Sequence, residues 1–155
     1  MDIRLRPLRD DEFEEFLAAQ HVEYARGLVD DAGMTPEAAV EKARADLASL
    51  FPDGGRRPDH HIAIVEDAAT GEPAGRVFWA PRRDDRAYVY DLFIDERFRG
   101  QGLGRRALEL LEADARGAGL SGVDLNVWGG NEVARALYRT AGYYERAVFM
   151  SKELD

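Results

Sequence analysis

The chain has 155 residues, a length at which folding hides roughly two thirds of the surface an unfolded chain exposes, so one domain over residues 1–155 is expected. It is 45% hydrophobic and 33% charged, the composition of an ordinary folded protein, with no stretch polar enough to read as disordered. A formal net charge of −9 argues against nucleic acid and anionic membranes as partners and favours cationic ones, while the absence of cysteine excludes disulfides, thiolate metal sites and cysteine nucleophiles and fits a reducing, cytoplasmic setting.

The opening MDIRLRPLRDDEFEEF carries no apolar run after its charges, and nowhere is there an apolar stretch of the roughly 18 residues a membrane span needs. IRLRP alternates with period two and predicts a first strand ended by Pro7. Beyond Asp10, Phe13, Phe16, Leu17, Val22 and Leu28 recur at roughly helical spacing, which predicts one or two helices to about residue 30. A second helical block opens with Thr35 as N-cap and Pro36 in the first turn, and its apolar stripe is read as Val40, Ala43, Leu47 and Leu50.

After the turn-rich FPDGGRRPDHH the period changes. HIAIVE, AGRVFWA and RAYVYDLFI, joined by connectors of hairpin length, predict three antiparallel strands. A helix with Leu103, Ala107, Leu110, Leu111 and Ala115 follows and is stopped by Gly117 and Gly119; VDLNVW reads as a fifth strand, NEVARALYRTAG as a short helix capped by Asn131, and AVFMSKEL as a last strand. This order predicts an α/β (α+β) fold: one mixed sheet with helices on its faces.

Between the third hairpin strand and its helix lies RGQGLGRR, residues 99–106. A strand that feeds a helix through glycines presents unpaired backbone N–H groups and the positive end of the helix dipole together, an arrangement that suits an anion. Arg97, Arg99, Arg105 and Arg106 add positive charge there, in a chain that is negative elsewhere. A Walker A loop fails, because no Lys followed by Ser or Thr comes after the last glycine. GLGRRA matches the weaker dinucleotide fingerprint, but Asp124 begins the next strand, whereas the ribose-binding acid should end it.

RGQGLG also fits the signature Q/R-x-x-G-x-G/A, and YVYDLFIDERFRGQGLGRRAL together with LNVWGGNEVARALYRTAGY resembles the GNAT superfamily of N-acetyltransferases from about residue 61 to 154; residues 8–51 fit as the variable acceptor side. The resemblance implies a GNAT-like, mostly antiparallel sheet of six to seven strands flanked by about four helices, and acetyl-CoA as acyl donor, with no metal. It implies that Arg99, Gly100, Gln101, Gly102, Leu103, Gly104 and Arg105 hold the pyrophosphate, that Leu92, Phe93 and Ile94 pair with the pantetheine arm where strands 86–94 and 123–127 splay apart, that Asn131 bonds that arm, and that Tyr138 is the general acid. It leaves a homodimer possible. Read from the residues alone, Asn131 serves equally as an N-cap and Tyr138 as a packing residue; the two sit two helical turns apart on one face.

Acetyl transfer from a thioester to an amine needs a neutral amine, a polarised carbonyl and a proton for the thiolate. Deprotonating an ordinary lysine amine at pH 7 costs about 4.6 kcal/mol, an α-amine about 1, so side-chain amines need a proton acceptor more. Many members of that superfamily carry Glu directly before the Asp of YVYDLFI, where this chain has Tyr90. Asp91 is the nearest carboxylate, but strict alternation puts it on the face opposite Tyr90 and Leu92 unless a bulge rotates it. Glu23 and Tyr24 are alternatives that could line the acceptor side, and a water relay is another.

No serine sits in G-x-S-x-G, and the histidines lack metal-ligand spacing. Trp79 and Trp128 read as core or strand-end anchors, Trp128 also as an edge of the cleft. The expected function is N-acetyl transfer to a primary amine of a small molecule or protein by direct attack in a ternary complex. The alternative is a non-catalytic acyl-CoA-binding regulatory module.

Overall fold

The computed structural model describes residues Met1–Asp155. Its strands are β1 (Ile3–Pro7), β2 (His61–Asp67), β3 (Pro73–Arg82), β4 (Arg86–Ile94) and β5 (Gly122–Leu125), and its helices α1 (Phe13–Asp30), α2 (Pro36–Leu50), α3 (Leu103–Gly117) and α4 (Glu132–Thr140). The sheet order is β1-β2-β3-β4-β5, antiparallel throughout except for the parallel β4–β5 pair. The mixed, mostly antiparallel sheet and its four helices match the expected class.

The strand count does not. The sheet has five strands rather than six to seven: residues 147–154 form none, and Val148, Phe149, Met150 and Leu154 are exposed. A strand has no hydrogen bonds of its own, so alternation alone does not make one without a neighbouring edge to supply the ladder. VDLNVW is likewise shorter than read, because β5 ends at Leu125 where its pairing with β4 stops.

Two apolar layers enclose the sheet. On one face Val65, Val77, Trp79 and Val89 pack against Leu103, Ala107, Leu111 and Ala115 of α3. On the other, Ile62 and Phe78 meet Phe16 of α1, Leu47 of α2 and Phe51. His60 joins this second layer edge-on to Phe51 and Phe78, and His61 stacks on Trp79.

Helical phase corrects two residues of the sequence reading. The buried stripe of α1 is Phe16, Gln20 and Leu28, with Val22 57% exposed; that of α2 is Ala39, Ala43 and Leu47, with Val40 62% exposed. Both valines lie out of phase with the buried rows, which meet the sheet at Phe16 and Leu47 and pack helix on helix at Leu28, Ala39 and Ala43. Thr35 caps α2 as expected, its side chain accepting from the Ala38 amide.

Leu111 is fully buried in the α3 layer. Leu111→Ala is expected to cost about 2–5 kcal/mol of stability, read as a lower urea midpoint with an unchanged slope.

Candidate active site

The site begins with a mismatch of register. Phe78 pairs with Asp91 and Trp79 with Val89, so Tyr90 is an extra residue in β4. A bulge of this kind places two consecutive side chains on one face. Val89 and Leu92 pack on the α3 side, while Tyr90 and Asp91 both face α1. The expectation that Asp91 lies opposite Tyr90 is therefore corrected, by the bulge that strict alternation lacks.

Asp91 Oδ2 accepts from Arg76 Nε at 2.7 Å, and Arg76 Nη2 donates to Gln20 Oε1 at 3.4 Å. The Arg76 side chain is 9% exposed and that of Asp91 18%. Burial pushes the Asp91 carboxyl up to about 6 although Arg76 opposes the shift, and the charge of Glu23 adds to it. Tyr138, half-buried on α4, is pushed up to about 12 by burial and by Asp91, which places the phenol and the carboxylate within electrostatic reach of each other. Tyr138 is thus a phenol that keeps its proton, within electrostatic reach of a carboxylate that is mostly ionised at neutral pH. Sequence reasoning missed Gln20 and Arg76; the signals were a polar residue on the buried row of α1 and an arginine inside the apolar run of β3.

Beyond Val89↔Leu125 the two strands part: β5 ends, and β4 continues to Ile94 with its β5-side edge unpaired. Leu92, Phe93 and Ile94 lie on this open stretch. The Phe93 ring is flanked by the Arg76 and Arg99 guanidinium groups at 4.3 and 5.2 Å. Trp128, 41% exposed, lines the same cleft, while Trp79 is core.

The glycine segment turns through Gly100 (φ +75°) and Gly102 (φ +77°) into α3. These left-handed conformations favour glycine, and nothing lies within 4 Å of where a Cβ would stand at either. From Gly100 to Arg105 no backbone N–H donates within the chain; the first amide to do so is that of Arg106, to Gly102 O. An unbroken run of free amides at the start of a helix is a cradle for an anion such as a diphosphate.

Gln101 is exposed, Leu103 is buried beneath the turn, and Gly104 admits Leu137 of α4. Arg99 Nε donates to Ile94 O at 2.8 Å, and Arg105 Nη2 to Thr140 Oγ1 at 2.6 Å. Arg97 and Arg106 are paired with Glu72 and Glu109.

Asn131 Oδ1 accepts from the Ala134 amide at 3.1 Å, so it caps α4, and its Nδ2 donors remain for another partner. Glu23 and Tyr24 line the cleft; Glu23 pairs with Arg26, and Tyr24 donates to Asp46 at 2.6 Å.

A family model described as the Acetyltransferase (GNAT) family matches residues 11–143. The chain is 31% identical over 163 aligned positions to the uncharacterized N-acetyltransferase YycN of Bacillus subtilis, covering 99% of this chain and 100% of that one. The crystal structure of YycN superposes with a TM-score of 0.89 at 29% identity over 99% of each chain. A glucosamine 6-phosphate N-acetyltransferase of rice (Oryza sativa subsp. japonica) is 33% identical over 80% of this chain and 75% of its own length.

Asn131→Ala is expected to lower stability by about 1 kcal/mol through loss of the cap, and Asn131→Asp to leave it nearly unchanged, as urea denaturation of the two variants will show.

Proposed function

The chain belongs to the GNAT family of acetyltransferases, and from that premise we propose that it moves an acetyl group from acetyl-CoA to a primary amine of a small molecule or protein by direct attack in a ternary complex. The observation that carries the reading is the run of free amides from Gly100 to Arg105 beside a cleft that also holds Asp91 and Tyr138.

The cradle would hold the diphosphate of the donor against the positive end of α3. The open edge of β4 at Leu92, Phe93 and Ile94 would pair with the amides of the pantetheine arm, and Asn131 Nδ2 would bond the same arm. Arg99 and Arg105 would border the phosphates, and Gln101, Leu103 and Gly104 shape the turn.

The amine nitrogen then attacks the thioester carbon. The C–S bond breaks, the ammonium proton passes to Asp91, and the departing thiolate takes the proton of Tyr138. A phenol held near 12 delivers that proton without ionising in the resting state, and a carboxylate near 6 accepts one at pH 7. With no cysteine in the chain, direct transfer needs no acetyl-cysteine intermediate.

Thiol release from acetyl-CoA with a panel of amines tests the reading. Tyr138→Phe is expected to lower kcat at least tenfold while acetyl-CoA affinity by calorimetry stays within twofold; full turnover in this variant would remove the phenol from the mechanism. Association of coenzyme A without turnover on any amine would point to the non-catalytic module instead, and no association at all would end the proposal.

The pH dependence follows from the sign of the Asp91 shift. The base acts ionised, so kcat/KM should rise with pH through about 6. In Asp91→Asn that limb should vanish, with a loss of about 10²- to 10⁴-fold.

A further inference from the structure

At the far end of the same cleft the hairpin of β3 and β4 sets two arginines opposite each other, Arg82 and Arg86. Like charges in facing positions weaken a ladder. Arg86 is neutralised by Asp124, Nη2 to Oδ1 at 2.7 Å, and Arg146 Nη1 also comes within 4.0 Å of that carboxylate. Arg82 makes neither an ion pair nor a side-chain hydrogen bond, and feels the charge of Asp124 only from beyond ion-pair distance.

What Arg82 does make is a stack. Its guanidinium carbon lies 3.6 Å from the centre of the Tyr88 ring and 5.6 Å from that of Tyr90. The platform is braced on two sides: Asn126 Nδ2 donates to Tyr88 Oη at 2.7 Å, and the Tyr88 and Tyr90 rings meet edge to face at 4.8 Å. A guanidinium lying flat on a ring keeps its N–H groups in its own plane, free for a carboxylate or phosphate.

The surroundings agree. Around this corner Arg82, Arg83, Arg86 and Arg146 outnumber Asp84, Asp85 and Asp124 by one, a locally positive spot in a chain of net charge −9. The position is also productive. Tyr88 and Asp91 lie on the α1 side of β4 three residues apart, about 10 Å at strand spacing, and Arg82 lines the cleft together with Asp91 and Tyr138.

We infer that Arg82, stacked on Tyr88, binds an anionic group of the acceptor, so that the acceptor class is an amine carrying a phosphate monoester or carboxylate about one monosaccharide ring away from the reacting nitrogen. The inference rests on the acetyl-transfer reading, since it is the amine beside Asp91 that fixes where the anion falls. The α-amine of an amino acid, whose carboxylate is one carbon away, is too short to span the two groups.

The test compares a 2-aminohexose, its 6-phosphate and its 6-carboxylate as acceptors for wild type, Arg82→Gln and Arg82→Lys. The wild type should favour one of the two anionic acceptors by at least tenfold in kcat/KM, and the favoured arm names the anion. In Arg82→Gln that preference should collapse at least tenfold with acetyl-CoA affinity retained, and Arg82→Lys should keep only part of it.

A hexose bearing the favoured anion but no amine should bind the wild-type complex with coenzyme A and not that of Arg82→Gln, a readout independent of turnover. No preference in the wild type, a preference that survives Arg82→Gln, or turnover confined to amines without an anion would overturn the inference while leaving acetyl transfer intact. Failure of every amine together with failure to bind coenzyme A would instead strike the reading beneath it.

Discussion

Tyr90 has no partner of its own across the ladder, because Phe78 pairs with Asp91 and Trp79 with Val89, and that single extra residue turns two neighbouring side chains toward α1. Everything chemical in the cleft depends on this. Without the bulge Asp91 would point into the apolar layer beneath α3, where Val89 and Leu92 pack, and its charge would have no counterion. With it, Asp91 meets Arg76, which is held in turn by Gln20, lies within electrostatic reach of Tyr138, and sits beside the stretch where β4 leaves β5.

The parting of β4 and β5 does for the backbone what the bulge does for side chains. A parallel pair that ended flush would leave no unsatisfied edge inside the protein. Here β4 runs past the end of β5 into a loop whose last amides, from Gly100 into the start of α3, also lack partners, so an open strand edge and a set of free donors belong to one cleft. The costs of such groups are borne by well-packed layers on both sides of the sheet, Trp79 and Leu111 on one and Phe78 and Phe51 on the other. Local irregularity sits on a regular scaffold, which is how a site is kept in place.

Charge is sorted to the same end. The chain is acidic overall, and several arginines in and behind the cleft are answered by a carboxylate: Arg76 by Asp91, Arg86 by Asp124, Arg26 by Glu23, Arg135 by Glu145. Against that background the arginine on Tyr88 makes its close contacts with aromatic faces and not with a carboxylate. Net charge therefore describes the general surface, while the free amides of the glycine turn are a local arrangement suited to an anion.

Period and punctuation in the sequence were enough to determine the strands through Ile94, the four helices, the cap at Asn131 and the glycine turn, because each depends on neighbours within a few residues. The resemblance carried by RGQGLG and LYRTAGY reached the family for the same reason: both motifs are contiguous. Tertiary structure alone decided which face Asp91 takes, that Gln20 rather than Val22 lies on the buried row of α1, that Arg76 stands behind the carboxylate, and that AVFMSKEL joins no sheet. Each of these turns on the register between distant segments, and alternation along one strand contains no information about which residue its partner leaves unpaired.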